Sequence, residues 1–119
     1  SFTKTQSFKD KKLQHVYDTV LKAQESAIAA AKVGMKAKEL DKVARDVIEE
    51  AGYGKYFVHS LGHGVGLDIH EYPYIRKNSD EVLPENSVFT VEPGIYIPGY
   101  YGVRIEDMVV LKSDGAEVL

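Results

Sequence analysis

The 119-residue sequence predicts an α+β domain in which an αα-hairpin packs on a mostly antiparallel sheet. Two observations predict this class. Apolar residues recur at helical spacing as far as Gly52, and after Gly54 glycine, proline, tyrosine and β-branched residues replace that periodicity. One domain is expected, because a chain of this length can bury one core and no repeat or linker divides it.

Helical periodicity supports two elements in the first half of the chain. The first helix is predicted from about residue 10 to residue 33, with Gly34 after its C-cap, and the second is predicted to end at Gly52. The short link between them is typical of an αα-hairpin. The apolar positions are Leu13, Val16, Tyr17, Val20, Ala23, Ala27, Ile28 and Ala31 in the first helix, and Leu40, Val43, Ala44, Val47, Ile48 and Ala51 in the second.

Strand-like segments occupy the second half of the chain. Segments 57–59, 87–91, 102–105 and 108–111 are predicted strands, and turns are predicted at 84–86 and 98–100. Pro93 has no backbone N–H to donate, so strand pairing is expected to end beside it and to open the sheet next to Glu92.

Composition excludes several functional classes. The net charge of −3, from 15 Lys and Arg against 18 Asp and Glu, argues against a nucleic-acid surface. The absence of cysteine excludes thiol catalysis, thiolate ligands and disulfides, and it agrees with an expected cytoplasmic location. No apolar run approaches the ~20 residues that span a bilayer, so no membrane partner is expected.

Three of the four histidines, His59, His63 and His70, lie within twelve residues of a glycine-rich run. Glycines alternate around His63, which allows another strand or a ligand to approach the backbone closely. The alternative is a glycine-kinked strand whose histidine only makes a hydrogen bond. The two neighbouring histidines and two downstream glutamates favour a metal site instead.

The two glutamates, Glu92 and Glu106, lie in strand-like contexts. Alternate strand residues share a face, so Thr90 and Glu92 are expected opposite Phe89 and Val91 on the other face. Taken singly, each glutamate fits an ordinary exposed strand face. Two such strands beside the histidine run could line a pocket with convergent polar groups, which predicts a metal-centred hydrolytic site.

These residues resemble the pita-bread metallopeptidases: prolidases, Xaa-Pro aminopeptidases and methionine aminopeptidases. The run 59–71, the motif at 92–96 and the motif at 104–107 match in order and spacing, and the Xaa-Pro-cleaving branch fits best. The resemblance covers nearly the whole chain. It implies half of a pita-bread fold, in which the αα-hairpin packs on a curved, mostly antiparallel sheet.

The resemblance also implies roles for individual residues. In the family, two aspartates, one histidine and two glutamates hold two metal ions. His63 matches the histidine ligand, and Glu92 and Glu106 match the glutamates. His70 resembles the histidine that hydrogen-bonds substrate and assists proton transfer, His59 resembles a substrate-pocket histidine, and Arg104 resembles a residue that supports the second glutamate.

One departure from the family pattern concerns the metal ligands. No motif in this sequence matches the two aspartates, so residues 1–119 are expected to form the C-terminal portion of a catalytic domain without the N-terminal half that carries them. Asp10, Asp18 and Asp41 lie on or beside helices and are poor replacements. At most one of two ions is then well ligated, and an oxygen-rich site suits Mn²⁺ or Co²⁺, with Zn²⁺ also compatible.

The implied activity is hydrolysis of Xaa-Pro bonds by a metal-activated hydroxide, on peptides with proline at the second position. This chain alone is expected to be inactive. A non-catalytic pita-bread module that binds peptides or proteins is the alternative, and the three retained ligands with His70 favour the enzyme. Loss of a half should expose sheet edge and apolar surface, which predicts self-association or pairing with the missing half. The sequence leaves open whether dipeptides or longer peptides are cleaved.

Overall fold

The computed structural model describes residues 7–65 and 73–119. Helix α1 spans Lys11–Ala30, and its N-cap is Asp10, whose carboxylate accepts the backbone N–H groups of Lys12 and Leu13 at 2.9 and 3.2 Å. The predicted end at residue 33 is wrong by three residues. The backbone of Gly34 and Met35 pairs with Leu83 at 2.8 and 2.9 Å, and this pairing draws the chain away from the helix axis.

Helix α2 spans Ala37–Glu50 and ends two residues before the predicted Gly52, which follows the C-cap Ala51 with a φ of +93° that favours glycine. It packs against α1 and confirms the αα-hairpin. Together the two helices present one buried face to the sheet. The buried apolar residues of that face are Val16, Val20, Ala23, Ala27, Leu40, Ala44 and Ile48.

The predicted strand at 57–59 is wrong. A 3₁₀ turn at Gly54–Tyr56 leads into irregular backbone there. The carbonyl oxygens of Phe57 and His59 accept hydrogen bonds from the Arg45 guanidinium instead of from a neighbouring strand. A helix side chain therefore satisfies backbone groups that a sheet would otherwise pair.

The strands described are all paired antiparallel, as predicted. Three of them match the remaining predicted strands to within one residue at each end. Two very short strands and two glycine-led strands were not predicted. In chain order the strands are β1 (Gly62–His63), β2 (Tyr74–Ile75), β3 (Val88–Val91), β4 (Gly94–Ile97), β5 (Tyr101–Arg104), β6 (Asp107–Lys112) and β7 (Gly115–Val118).

The β3–β6 and β4–β5 ladders form two parts of one long antiparallel pairing. Val91 pairs with Asp107, and Gly94 pairs with Arg104, so two residues on each strand lie between the ladders. β3 ends at Val91, so regular strand pairing is interrupted beside Pro93, as predicted. The interruption places the glutamates of interest at a gap in the sheet.

The sheet carries the other half of the core. β1 pairs with β2 and also lies beside β3, and β6 pairs with both β3 and β7. The α+β class is confirmed. Neither α1 nor α2, the α-helices of the described part of the chain, combines the length and the apolar character that a membrane span requires. The fully buried sheet residues include Ile75, Phe89, Val91, Ile95, Val109 and Leu111.

Candidate metal centre

His63 lies on β1, which is pressed against β3 because Gly62 has no side chain. A Cβ at Gly62 would lie 1.8 Å from the carbonyl oxygen of Thr90. The backbone N–H of His63 donates to Thr90 Oγ1 at 3.0 Å, and Thr90 is buried. The glycine therefore allows the close approach that the sequence analysis expected, and the partner is the neighbouring strand.

The imidazole of His63 is oriented by its own loop. Its Nδ1 lies 3.0 Å from the carbonyl oxygen of Gly64. A carbonyl oxygen only accepts hydrogen bonds, so Nδ1 carries the proton and the lone pair of the neutral ring is on Nε2. Metal-ligating histidines commonly use this arrangement, in which one nitrogen donates and the other binds the ion.

Glu92 follows β3 and faces His63. Glu92 Oε2 lies 3.7 Å from His63 Nε2, and the two side chains are 14% and 39% exposed. The backbone N–H of Glu92 donates to the carbonyl oxygen of Leu61 at 2.7 Å, which fixes the start of the side chain. Thr90 and Glu92 both contact His63, so they share a face as strand parity predicted.

Glu106 lies opposite Glu92 in the interrupted ladder. The N–H of Ile105 donates to the carbonyl oxygen of Pro93 at 3.3 Å, and the antiparallel register then sets Glu92 against Glu106. Residues directly opposite in an antiparallel pair project from the same face. Glu106 is exposed, however, and within the described ranges no group of three or more acidic, histidine or cysteine side chains forms a metal-binding cluster. The structure thus joins His63 to Glu92, and it relates Glu106 to them only through register.

The other predicted site residues lie in different environments. The ring of His59 packs edge-on to Tyr96 at 5.5 Å, and its Nδ1 lies 2.7 Å from the carbonyl oxygen of Ser60. Its Nε2 is buried, with no hydrogen-bond partner among the described residues. Arg104 is exposed and pairs opposite Gly94. His70 lies outside the described residues.

Sequence reasoning missed a buried ion pair beside this site. Asp41 and Arg45 on α2 have side chains that are 0% and 14% exposed, with Arg45 Nε 2.8 Å from Asp41 Oδ1. Asp41 was considered only as a replacement metal ligand. The signal that could have found it is an acid and a base four residues apart on the face of α2 that also carries Leu40, Ala44 and Ile48.

Comparison with known proteins bears on both the fold and the chemistry. Residues 2–113 match the sequence model of metallopeptidase family M24. The chain is 56% identical over 110 residues to the Xaa-Pro dipeptidase of Pyrococcus furiosus, an alignment that covers 92% of this chain and 32% of that protein. This confirms the resemblance drawn from the motifs.

Solved structures of related proteins have the same fold over the matched residues. An X-Pro aminopeptidase from Thermotoga maritima superposes with a TM-score of 0.87 at 54% identity, over 92% of this chain and 31% of the other. The prolidase from Pyrococcus furiosus superposes with a TM-score of 0.88 at 56% identity, over 92% of this chain and 32% of the other. The pita-bread architecture is therefore confirmed. The chain spans about a third of the length of these relatives.

Proposed function

The chain belongs to metallopeptidase family M24, and from that premise we propose that it supplies the histidine and glutamate ligands of a metal centre that hydrolyses Xaa-Pro peptide bonds. One observation carries the proposal. His63 Nε2 and Glu92 Oε2 face each other at 3.7 Å, while His63 Nδ1 is engaged by the Gly64 carbonyl. Two donors so arranged, one nitrogen and one carboxylate oxygen, suit a divalent ion.

The spacing of these two atoms fits one ion. Metal–nitrogen and metal–oxygen bonds are each about 2.1 Å for a zinc-sized ion, so an ion between them can contact both atoms across 3.7 Å. A bound divalent ion would supply Lewis-acid chemistry for amide hydrolysis. The mixed nitrogen and oxygen donor set supports Mn²⁺ or Co²⁺ as the native ions, with Zn²⁺ also compatible.

We assign the remaining roles by family membership and position. Glu106, in register with Glu92, would be the third ligand held by this chain, and Arg104 would support it. His59 would contact substrate beside Tyr96, and His70 would hydrogen-bond substrate and move a proton to or from it. The substrate class proposed is a dipeptide or short peptide with proline second, which follows from the names of the relatives.

The two aspartates of the family's ligand set have no counterpart in this sequence. We propose that residues 1–119 act as the C-terminal portion of a catalytic domain, that a second segment supplies those carboxylates, and that this chain alone has little or no peptidase activity. The proposed location is the cytoplasm, which the lack of cysteine supports and cell fractionation would test.

Metal uptake tests the centre directly. Native mass spectrometry of the 119-residue chain with added Mn²⁺ should show one ion per chain, and His63→Ala should abolish that uptake. His15→Ala is the matched control, because His15 lies on α1 and its Nδ1 contacts the Tyr53 hydroxyl at 2.7 Å. Equal uptake by wild type and His63→Ala, or no uptake by wild type, would contradict the proposed centre.

Self-association is the remaining proposal about partners. β7 is a terminal strand of its sheet among the strands described, and Val118 and Leu119 at its end are 40% and 69% exposed. An uncovered edge with apolar side chains favours pairing with another chain. Light scattering should show a dimer at high protein concentration. A strict monomer would argue against this pairing.

A further inference from the structure

We propose that the buried Asp41–Arg45 pair is a positioning device, which holds the backbone leading to His63 and so sets the distance between His63 and Glu92. The inference rests on the proposed role of His63 as a metal ligand. Neither residue of the pair is proposed to contact substrate or metal.

Arg45 organises the segment before β1 through its planar fork. Its Nη1 donates to the carbonyl oxygen of Phe57 at 2.9 Å, and its Nη2 donates to the carbonyl oxygen of His59 at 3.0 Å. The same guanidinium donates to both carboxylate oxygens of Asp41 at 2.8 and 3.2 Å. One side chain therefore ties two alternate carbonyl groups of an irregular segment to α2.

Asp41 binds the next alternate residue of the same segment, Leu61. Its Oδ2 accepts the backbone N–H of Leu61 at 3.1 Å. The carbonyl oxygen of Leu61 in turn accepts the N–H of Glu92 at 2.7 Å. Leu61 is thus held on one side by the ion pair and on the other by a proposed metal ligand, two residues before His63.

The energetics of buried ion pairs support a geometric role. Desolvation offsets much of the attraction in such a pair, so stability alone is a weak reason to keep one on the apolar face of α2. A guanidinium and a carboxylate do provide directional donors and acceptors at fixed angles. Metal sites need ligands held in a fixed geometry, because the distances from ligand atoms to the ion must match the ideal bond lengths to within about 0.2 Å.

The primary test is Arg45→Lys in the full 119-residue chain, since one ammonium replaces the fork and keeps the charge. Two quantities are measured. NMR hydrogen exchange compares the Leu61 amide with that of Val109 in β6, and calorimetry gives the Kd for Mn²⁺. We expect the Leu61 rate to rise at least tenfold relative to Val109, and the Kd to rise about 10- to 100-fold, as for groups that orient metal ligands.

The chain offers a matched control on the same helix. Lys42 and Asp46 are also four residues apart and form an ion pair, with 2.6 Å between Lys42 Nζ and Asp46 Oδ2, but their side chains are 73% and 43% exposed. Lys42→Met should therefore change neither quantity by more than twofold. An equal loss in this control would show that disturbing any ion pair on α2 has the same effect, and it would overturn the proposal.

A double variant separates positioning from simple stabilisation. Asp41→Leu with Arg45→Met replaces the pair by apolar residues, a change that often maintains or raises stability. We expect its Tm to exceed that of Arg45→Met alone. Leu61 exchange should stay fast because the Leu61 amide has lost its Asp41 acceptor, and Mn²⁺ affinity should stay low because the carbonyl groups of Phe57 and His59 lack donors.

These measurements distinguish failure of the positioning role from failure of the proposed metal centre. Leu61 exchange and Mn²⁺ Kd within twofold of wild type in Arg45→Lys would overturn the positioning role. Recovery of both quantities in the double variant would also overturn it. Failure of the wild-type chain to bind Mn²⁺ would contradict the metal centre itself, and the exchange comparison would then decide the positioning role alone.

Discussion

The substitution Gly62→Ala tests the contact that brings β1 onto β3. The new Cβ would lie 1.8 Å from the Thr90 carbonyl oxygen, and real Cβ atoms stay beyond 3.0 Å, so the two backbones must separate by roughly 1.2 Å, the difference between those distances. Such a shift would break two hydrogen bonds, from His63 N–H to Thr90 Oγ1 and from Glu92 N–H to the Leu61 carbonyl, now 3.0 and 2.7 Å long.

The expected cost follows from these two effects. Over-packing costs about 1–3 kcal/mol, and each lost hydrogen bond costs about 0.5–1.5 kcal/mol, so the free energy of unfolding should fall by roughly 2–6 kcal/mol. That is a large part of the ~5–15 kcal/mol of a typical domain. Urea unfolding followed by circular dichroism at a helical wavelength measures it.

Gly54→Ala is the control for this prediction. A Cβ at Gly54 would lie 2.6 Å from Glu49 Cγ, but Glu49 is an exposed, flexible side chain that can rotate away. Its effect should stay within about 0.5 kcal/mol. If Gly62→Ala also stayed within that range, the close approach of β1 to β3 would not be the reason for glycine at this position.

Three further predictions concern the helix start, a buried hydroxyl and a surface ion pair. Asp10→Ala should lower the free energy of unfolding by about 1 kcal/mol, because two backbone N–H groups of α1 lose their acceptor. Asp10→Asn should retain most of the wild-type stability, and urea unfolding of both variants measures the difference. Tyr101→Phe should leave Tm unchanged or raised, because the hydroxyl oxygen is buried with no hydrogen-bond partner among the described residues, and desolvation raises the pKa of this phenol. A clear fall in Tm would refute this. The hydrogen bond and charge of Lys38 hold the pKa of Asp80 below its ordinary value, so the pair stabilises the fold above the ordinary Asp pKa and loses that effect as pH falls through the lowered one. The stability difference between wild type and Asp80→Asn should therefore disappear in acid, and a difference that persists there would show another cause.

Those parts of the protein that depend on local pattern could be predicted from the sequence. Helical periodicity is a local property, so both helices were predicted, and Gly52 marked the end of the second because a positive φ favours glycine. Pro93 marked the end of β3 because it lacks an N–H. The ligand motifs identified the family by their order and spacing, and the match over residues 2–113 confirmed it.

The positions at which those motifs meet depend on long-range packing of the chain. The approach of His63 Nε2 to Glu92 Oε2 depends on β1 lying against β3, which no local pattern encodes. Segment 57–59 has the composition of a strand, yet the carbonyl groups of Phe57 and His59 accept hydrogen bonds from Arg45, which lies on a helix twelve and fourteen residues earlier in sequence. Backbone groups pair with whichever donor the packed chain brings to them. The candidate ligands could therefore be recognised in the sequence, whereas the hydrogen bonds from Asp41 and Arg45 that hold the backbone before His63 could not.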